Sequence, residues 1–530
     1  MVFIGIDVGT GSARAGVFDA TGTLLGTGKR DITVFQDGDW AEHSSAEIWQ
    51  SVCAATKDAV AAAGIDPGDV AGIGFDATCS LVVVGEGGAP LPVTPGGPAE
   101  RDVIVWMDHR ALDQAARINA GEHEVLKYVG GIISPEMQTP KLLWLKETHP
   151  ETYGAAWQFF DLSDYLTWRA TGSLSRSICT VTCKWTYAQG NGGWDAGYFR
   201  AIGLGDMAED GFRRIGTEVV EAGAPLGSGL TDEAAKDLGL RPGTSVGAGL
   251  IDAHAGGLGT VGAAGARPTD RMAYVFGTSS CTMTSTQAPV YVPGVWGPYH
   301  AAMVPGLWLN EGGQSTAGAG IAQLLRHHPA YPAAAEAANA RGQSVPDYLA
   351  DAAAATADAS EVARRAKGMF VIPEFLGNRA PYANPHTRAV IAGLGMDNGE
   401  AALIDLYIAG ILGIGYGLRE ILTAQDTAGA PVRSIVLSGG AGRQDLVRQL
   451  LADASGVTVE IPKTDEPVLL GSAILGALAA GYFSSAIVAM PAMSAVSAAY
   501  PPAEHMRDWH ARRFARFGKL HDLAMELAAG

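Results

Sequence analysis

Phe3-Ile-Gly-Ile-Asp-Val-Gly-Thr-Gly-Ser12 opens the chain, and Tyr274-Val-Phe-Gly-Thr-Ser-Ser-Cys281 repeats its pattern about halfway along. Each reads as an apolar strand, a Gly-Thr/Ser turn and a second strand, Ala13 to Asp19 in the first case and Cys281 to Thr286 in the second. A glycine-rich hairpin turn can aim bare backbone N–H groups at a phosphate, and hydroxyls add further donors. Two such turns point to two similar domains gripping one polyphosphate from opposite sides, and so to phosphoryl transfer.

With 530 residues the chain exceeds what a single core organises. An apolar fraction of 47% with 17% charged residues describes a soluble globular protein. The net charge of -18 argues against a nucleic-acid surface, which needs a cationic footprint. Phosphates must then be held by local donors and metal. The five cysteines are odd in number and sparse. Cys179 and Cys183 fall one helical turn apart, but no second pair completes a zinc site, so they read as buried, reduced thiols of a cytoplasmic protein. Met1 leads directly into a strand, without the basic start of a signal peptide. Pro467 to Ala503 carries no charge, yet Gly481, Ser484, Ser485 and Pro491 interrupt it. A buried helix near Leu470–Ala480, then a loop or second short helix, is expected there in place of a membrane span.

The first thirty residues predict a meander of strands at Phe3–Val8, Ala13–Asp19 and Leu24–Arg30. A helix follows at Ser45–Ala63, with Ser44 or Ser45 as its cap. Val70–Phe75, Leu81–Val84 and Val103–Trp106 are strand-like; Pro140–Thr148 and Asp164–Arg169 are helical. Thr244–Ile251 is a buried strand ending at Asp252, and the small-residue stretch Ala253–Gly265 crosses between the halves. The hairpin pattern then restarts, with strands near Met272–Phe276, Cys281–Thr286, Ala301–Val304 and Leu307–Asn310. Later come a long helix at Ala401–Thr423, a strand at Ser434–Leu437, a helix at Gln444–Ala454 and a packed terminal helix at Asp508–Leu527. The expected fold is α/β: two related domains, residues 1–264 and 265–530, with a cleft between them.

Asp7 precedes the first turn, where a carboxylate would repel a triphosphate unless magnesium sits between them; a turn-capping role is the alternative. Thr10, Gly11, Ser12 and Arg14 add hydroxyls, backbone and a guanidinium suited to phosphate. Gly277, Thr278 and Ser279 match them in the second turn. Asp252, where a buried strand ends, can accept a substrate hydroxyl's proton, or can simply cap the following helix. His254 nearby reads as packing. Ser438-Gly-Gly-Ala-Gly442 offers bare backbone to an adenine or ribose face, or is a plain βα turn. Asp76, Thr78, Lys184, Glu311 and Gln314 offer polar groups to a polyol, and the Phe375–Asn384 loop is either a lid or a connector.

Taken together these segments resemble the FGGY carbohydrate kinase family, of the actin-like/ribonuclease H-like ATPase fold. The carriers are Gly5-Ile-Asp-Val-Gly-Thr-Gly-Ser-Ala-Arg14, Trp106-Met-Asp-His-Arg110, Pro140-Lys-Leu-Leu-Trp144, Gly249-Leu-Ile-Asp-Ala-His254, Gly277-Thr-Ser-Ser-Cys281, Asn310-Glu-Gly-Gly-Gln314 and Gly439-Gly-Ala441. They span the chain to about Leu478. Gly74-Phe-Asp-Ala-Thr-Cys-Ser80, Pro293–Tyr299 and Phe375–Pro381 resemble the D-ribulokinase-like pentulose kinases within it. The resemblance implies ATP- and Mg2+-dependent phosphorylation of a primary hydroxyl, with Asp252 as base and Asp7 near the metal. It also implies phosphate contacts from Gly277, Thr278 and Gly318, adenosine near Gly439, Gly440 and Gln444, and sugar contacts from Lys184 and Glu311. Thr282 stands where related pentulose kinases often carry His, which bears on sugar specificity. Ala322 replaces a nucleotide-contacting Gln of glycerol kinases. The expected substrate is D-ribulose, phosphorylated at O5. The rivals are L-ribulose or xylulose kinases and a non-catalytic nucleotide-gated clamp for a protein partner. The oligomeric state is not readable from the sequence; related kinases are often dimers, which is analogy only.

Overall fold

The computed structural model describes residues 1–188 and 192–529. Strands β1 (Val2–Val8), β2 (Ser12–Asp19) and β3 (Leu24–Asp31) form the first meander, with Asp7 paired to Arg14 across the turn. Every residue of β1 is buried, as a continuous apolar run in a central strand requires. Helix α1 (Ser45–Ala63) packs on β2 and β3. It is capped by the Ser44 hydroxyl, which accepts from the Glu47 N–H, and closed by left-handed Gly64. β4 (Val70–Ala77) and β5 (Ser245–Ile251) extend the sheet in parallel, giving the order β5-β4-β1-β2-β3. Between β4 and β5 the chain builds part of a second, antiparallel sheet and the short helix α2 (Ile178–Lys184).

Helix α3 (Asp252–Val261) leaves β5 and leads to the second meander, so the small-residue stretch expected only to cross between halves is largely helical. β6 (Arg271–Phe276), β7 (Ser280–Thr286), β8 (Trp296–His300) and β9 (Trp308–Gln314) follow, then α4 (Gly318–Arg326), α5 (Glu400–Ala428), β10 (Ser434–Ser438), α6 (Asp445–Ser455) and β11 (Thr458–Pro462). The inner order β9-β7-β6-β10-β11 repeats that of the first sheet, three antiparallel strands and then two parallel ones. No strand forms at Ala301–Val304. Ala301 turns at a φ of 54° and its N–H donates to the Leu307 carbonyl at 2.7 Å. These four residues are apolar because the turn is buried, and β8 lies just before them.

Helix α7 (Pro467–Ala479) accounts for the uncharged stretch near the C-terminus. It packs on α3 and across β1, β4 and β5, so by packing it belongs to the N-terminal sheet although it lies beyond residue 264. Glycines allow backbone to meet backbone there. A Cβ on Gly5 would sit 1.9 Å from the Leu469 carbonyl oxygen, one on Gly74 1.9 Å from that of Ser472, and one on Gly471 1.9 Å from that of Ala255. Among the described residues α5 alone is long and apolar enough to cross a membrane, and its residues form the centre of the C-terminal core. The terminal helix α8 (Arg507–Ala529) packs on α5 and α6, burying Phe517.

The glycine contacts define a stability test. Gly74→Ala should lower stability by about 2 kcal/mol or more, because backbone cannot yield as a side-chain tip does. Gly154→Ala, with nothing within 4 Å, should change thermal unfolding little. Equal melting of the two variants would mean that α7 does not lie this close to the sheet.

Candidate active site

Three parallel strands end side by side in carboxylates. Asp7 on β1 and Asp76 on β4 are register partners, and Asp252 follows β5, whose last residue Ile251 pairs with Ala77. Asp7 and Asp76 are buried and Asp252 is half-buried. Arg14 binds Asp7 through Nε at 2.7 Å and reaches Glu466, just before α7, at 2.7 Å. Ser472 of α7 donates to Asp76 Oδ2 at 2.5 Å, while Asp76 Oδ1 has no hydrogen-bond partner among the described residues. Burial pushes the Asp76 carboxyl well above the usual carboxylate range, and Asp7 beside it adds to the push. Burial, with Asp7 next in weight, raises Asp252 to about 6. Asp252 Oδ1 also accepts the Ala253 N–H at 2.7 Å, so the residue helps to close the start of α3 while its carboxyl stays in the row.

A second group of polar side chains crosses from one half to the other. His254, in the first turn of α3, stands between Cys179 of α2 and Glu311 of β9: Cys179 Sγ lies 3.1 Å from Nδ1, and Glu311 Oε2 lies 3.4 Å from Nε2. Burial works against charge on Glu311, but the His254 contact and Lys184 outweigh it and bring the carboxyl down to about 2. Burial likewise opposes the Lys184 ammonium, yet Cys79 and Glu311 nearby raise it well above the ordinary lysine value. Lys184 also lies 5.5 Å from the centre of the Trp296 ring, and Arg379 lies 5.9 Å from it. Arg379 reaches Cys281 Sγ at 3.8 Å. It comes from the Phe375–Asn384 loop, so that loop borders this group. Thr78 follows β4 directly, its hydroxyl 3.1 Å from that of Ser80.

The two turns carry the remaining candidates. Gly11 and Thr278 are exposed, and Ser12 and Ser279 are half-buried. Thr10 Oγ1 accepts from Trp106 Nε1 at 2.9 Å, which ties the first turn to the inserted layer. In the second half the start of α4 is sewn to the turn: the Gly318 N–H donates to the Gly277 carbonyl at 2.9 Å, and the Ala319 N–H to that of Thr278 at 3.1 Å. Gly439, at a φ of 96°, brings the β10–α6 turn so close that a Cβ there would sit 2.5 Å from the Phe276 carbonyl oxygen. Gly277, Gly318 and the Gly439–Gly440 turn therefore meet in one place. Gln444 begins α6 and donates to Asp347 at 3.2 Å. Thr282 lies on the opposite face of β7 from Cys281. Thr284, on the same face as Thr282, donates to Gln425 of α5 at 3.1 Å, so the side chain at 282 is turned toward the C-terminal core and away from Lys184 and Glu311.

Sequence reasoning missed the partners that α7 and the loop bring in. Ser472 meets Asp76 and Glu466 meets Arg14 across more than four hundred and fifty residues in the second case, separations that no local pattern announces. His254 was legible only as the residue two places after Asp252.

Residues 2–259 match the N-terminal domain, and residues 272–480 the C-terminal domain, of the FGGY family of carbohydrate kinases. An FGGY carbohydrate kinase domain-containing protein of Homo sapiens is 43% identical over 538 residues, covering 99% of this chain and 97% of that protein. A D-ribulokinase of Saccharomyces cerevisiae is 37% identical, covering 91% of this chain and 72% of its own length. The crystal structure of a xylulose kinase from Rhodospirillum rubrum superposes with a TM-score of 0.82 at 21% identity over 100% of both chains, which shows the shared fold.

The raised pKa of Asp252 gives a signed expectation for the unliganded protein. Folding favours its protonated form, so its contribution is fully present below the ordinary value of 3.8 and is lost as pH rises through about 6. Asp252→Asn should therefore stabilise the free protein at pH 8, by about 1–3 kcal/mol, with the gain shrinking at pH 5. Thermal unfolding at the two pH values decides it; a variant less stable than the parent at pH 8 contradicts the electrostatic reading.

Proposed function

The chain belongs to the FGGY family of carbohydrate kinases and is a sugar kinase; we propose that it transfers the γ-phosphoryl group of ATP to the 5-hydroxyl of a ketopentose, D-ribulose. The carboxylate row supports this reading most directly. Asp252 sits half-open at its end, beside Lys184 and the His254–Glu311 pair, with a pKa of about 6 that suits a base working near neutrality. The yeast D-ribulokinase match supports a pentulose, and D-ribulose in particular.

In this reading the open backbone of Gly11, Ser12 and Thr10 on one side, and of Gly277, Thr278 and Ser279 on the other, binds the phosphates. Arg14 lies beside the first turn, and Gly318 supports the second. Gly439, Gly440 and Gln444 receive the nucleoside. Lys184, Glu311, Thr78 and Asp76 face or support the sugar. Asp252 accepts the proton of the attacking hydroxyl as oxygen bonds to the γ-phosphorus and the bond to the β-phosphate oxygen breaks, leaving ADP. Closure of the halves would exclude water and so suppress hydrolysis of ATP.

The residues also fit Mg2+. Asp7, Asp76 and Asp252 crowd together, Asp76 keeps an unpartnered oxygen, and a hard cation with oxygen ligands would relieve their repulsion. Asp7 would hold it, directly or through water, and the ion would offset phosphate charge. Family membership sets the non-catalytic clamp aside.

A panel of D-ribulose, L-ribulose, D-xylulose and glycerol, with ATP and product identification, tests the assignment. D-Ribulose should give the highest kcat/KM, with 5-phosphate as product; a clear preference for L-ribulose or xylulose would replace it. With the preferred sugar, Asp252→Asn should cost about 10²- to 10⁴-fold in kcat while ATP binding persists. Glu311→Gln should raise the KM for sugar far more than that for ATP, and equal effects on both would remove Glu311 from the sugar's contacts.

A further inference from the structure

Cys179 and Cys183 stand one turn apart on α2, and the fold supplies a third ligand type that their spacing lacks. Cys179 Sγ, Cys183 Sγ and a ring nitrogen of His254 lie within 4.8 Å of one another, all three residues buried. We propose that these side chains form a Cys2His site for a thiophilic divalent cation, of which Zn2+ is the common example. The proposal is independent of which sugar the enzyme phosphorylates.

The geometry is close to what such an ion needs. Zn–S bonds of about 2.3 Å and a Zn–N bond of about 2.0 Å in a tetrahedron place sulfur about 3.5 Å from nitrogen and the two sulfurs about 3.8 Å apart. Cys179 Sγ already lies 3.1 Å from His254 Nδ1, so small rotations of the side chains suffice. The surrounding bonds are those that metal ligands require. His254 turns its other nitrogen, Nε2, to Glu311 at 3.4 Å, so Nδ1 can bind the ion while Nε2–H donates to the carboxylate. The Ile251 N–H points at Cys179 Sγ from 3.4 Å. The two thiolates neutralise a divalent charge, so the site adds no net charge beside Lys184. Any proton on either thiol or on Nδ1 leaves as the ion binds.

Ligand chemistry separates this site from the carboxylate row. Sulfur and imidazole select Zn2+, Cd2+ or Co2+, whereas three carboxylates select Mg2+ or Mn2+. Occupancy would join α2, α3 and β9, and with them both halves of the chain, through the His254–Glu311 contact. It would fix Glu311 through its contact with His254.

Because the ligands are buried, the ion enters during folding or when the halves part. The test therefore uses full-length protein produced in Co2+-supplemented medium, and separately folded protein incubated with Co2+, both in excess Mg2+. One Co2+ per chain with an intense thiolate-to-cobalt charge-transfer band in the near ultraviolet is expected, displaced by Zn2+. Cys183→Ala should lose that band and keep its far-ultraviolet circular dichroism, while Cys53→Ala should keep the band. Should Cys183→Ala fail to fold, cadmium-113 NMR of the unaltered protein decides: a shift in the mixed sulfur–nitrogen range supports the site. Only oxygen-ligated Co2+ or Cd2+ in the unaltered protein, or a thiolate band that survives in Cys183→Ala, overturns it.

Discussion

Mutual repulsion among Asp7, Asp76 and Asp252 is the constraint on which the rest of the structure turns. Parallel pairing brings Asp7 and Asp76 to matching register positions, and β5 ends one strand away with Asp252. Three carboxyl groups at neighbouring strand ends are costly unless protons, cations or donors offset them. Arg14 answers for Asp7, Ser472 for one oxygen of Asp76, and the Ala253 N–H for one oxygen of Asp252. The offset is partial: burial first, and Asp7 second, keep the pKa values of Asp76 and Asp252 raised. A fold that tolerates such crowding leaves the balance of charge to be completed by what it binds, which in the proposed function is a nucleotide with its cation.

The same row explains why the two halves cannot be treated as beads on a string. One of its supporting donors, Ser472, comes from α7, which lies beyond the second meander in sequence but against the first sheet in space. Glycines on β1 and β4 admit that helix backbone to backbone. On the other side of the seam, Glu311 of β9 meets His254 of α3. Each half thus contributes to groups anchored in the other, so a relative movement of the halves would alter carboxylates, Lys184 and Glu311 together. That coupling is what a sugar kinase needs if binding of the sugar is to complete the phosphate site.

Much of this was legible in the sequence because it is local. The β1 and β6 meanders, α1 with its Ser44 cap, β5 ending at Asp252, and the β10–α6 glycine turn each carry their signal in one contiguous stretch of sequence. Ala301–Val304 misled because hydrophobicity reports burial and does not distinguish a buried turn from a strand. Thr282 looked like a sugar-side difference until the pleat placed it on the other face of β7. What stayed hidden is non-local: Ser472 beneath Asp76, Glu466 on Arg14, Arg379 beside Cys281, and the meeting of Cys179 with His254. Residues distant in sequence meet through topology, and no periodicity records which ones. The placement of site residues on the motifs of the family remains our proposal, carried by their convergence.

The most direct measurement is anomalous diffraction from crystals grown with Mn2+, a non-hydrolysable ATP analogue and D-ribulose. A manganese peak beside Asp7, with the triphosphate between the Gly11 and Thr278 turns and a sugar hydroxyl hydrogen-bonded to Asp252, is the predicted result. A triphosphate bound away from both turns, with manganese and sugar remote from the three strand-end carboxylates, would contradict it.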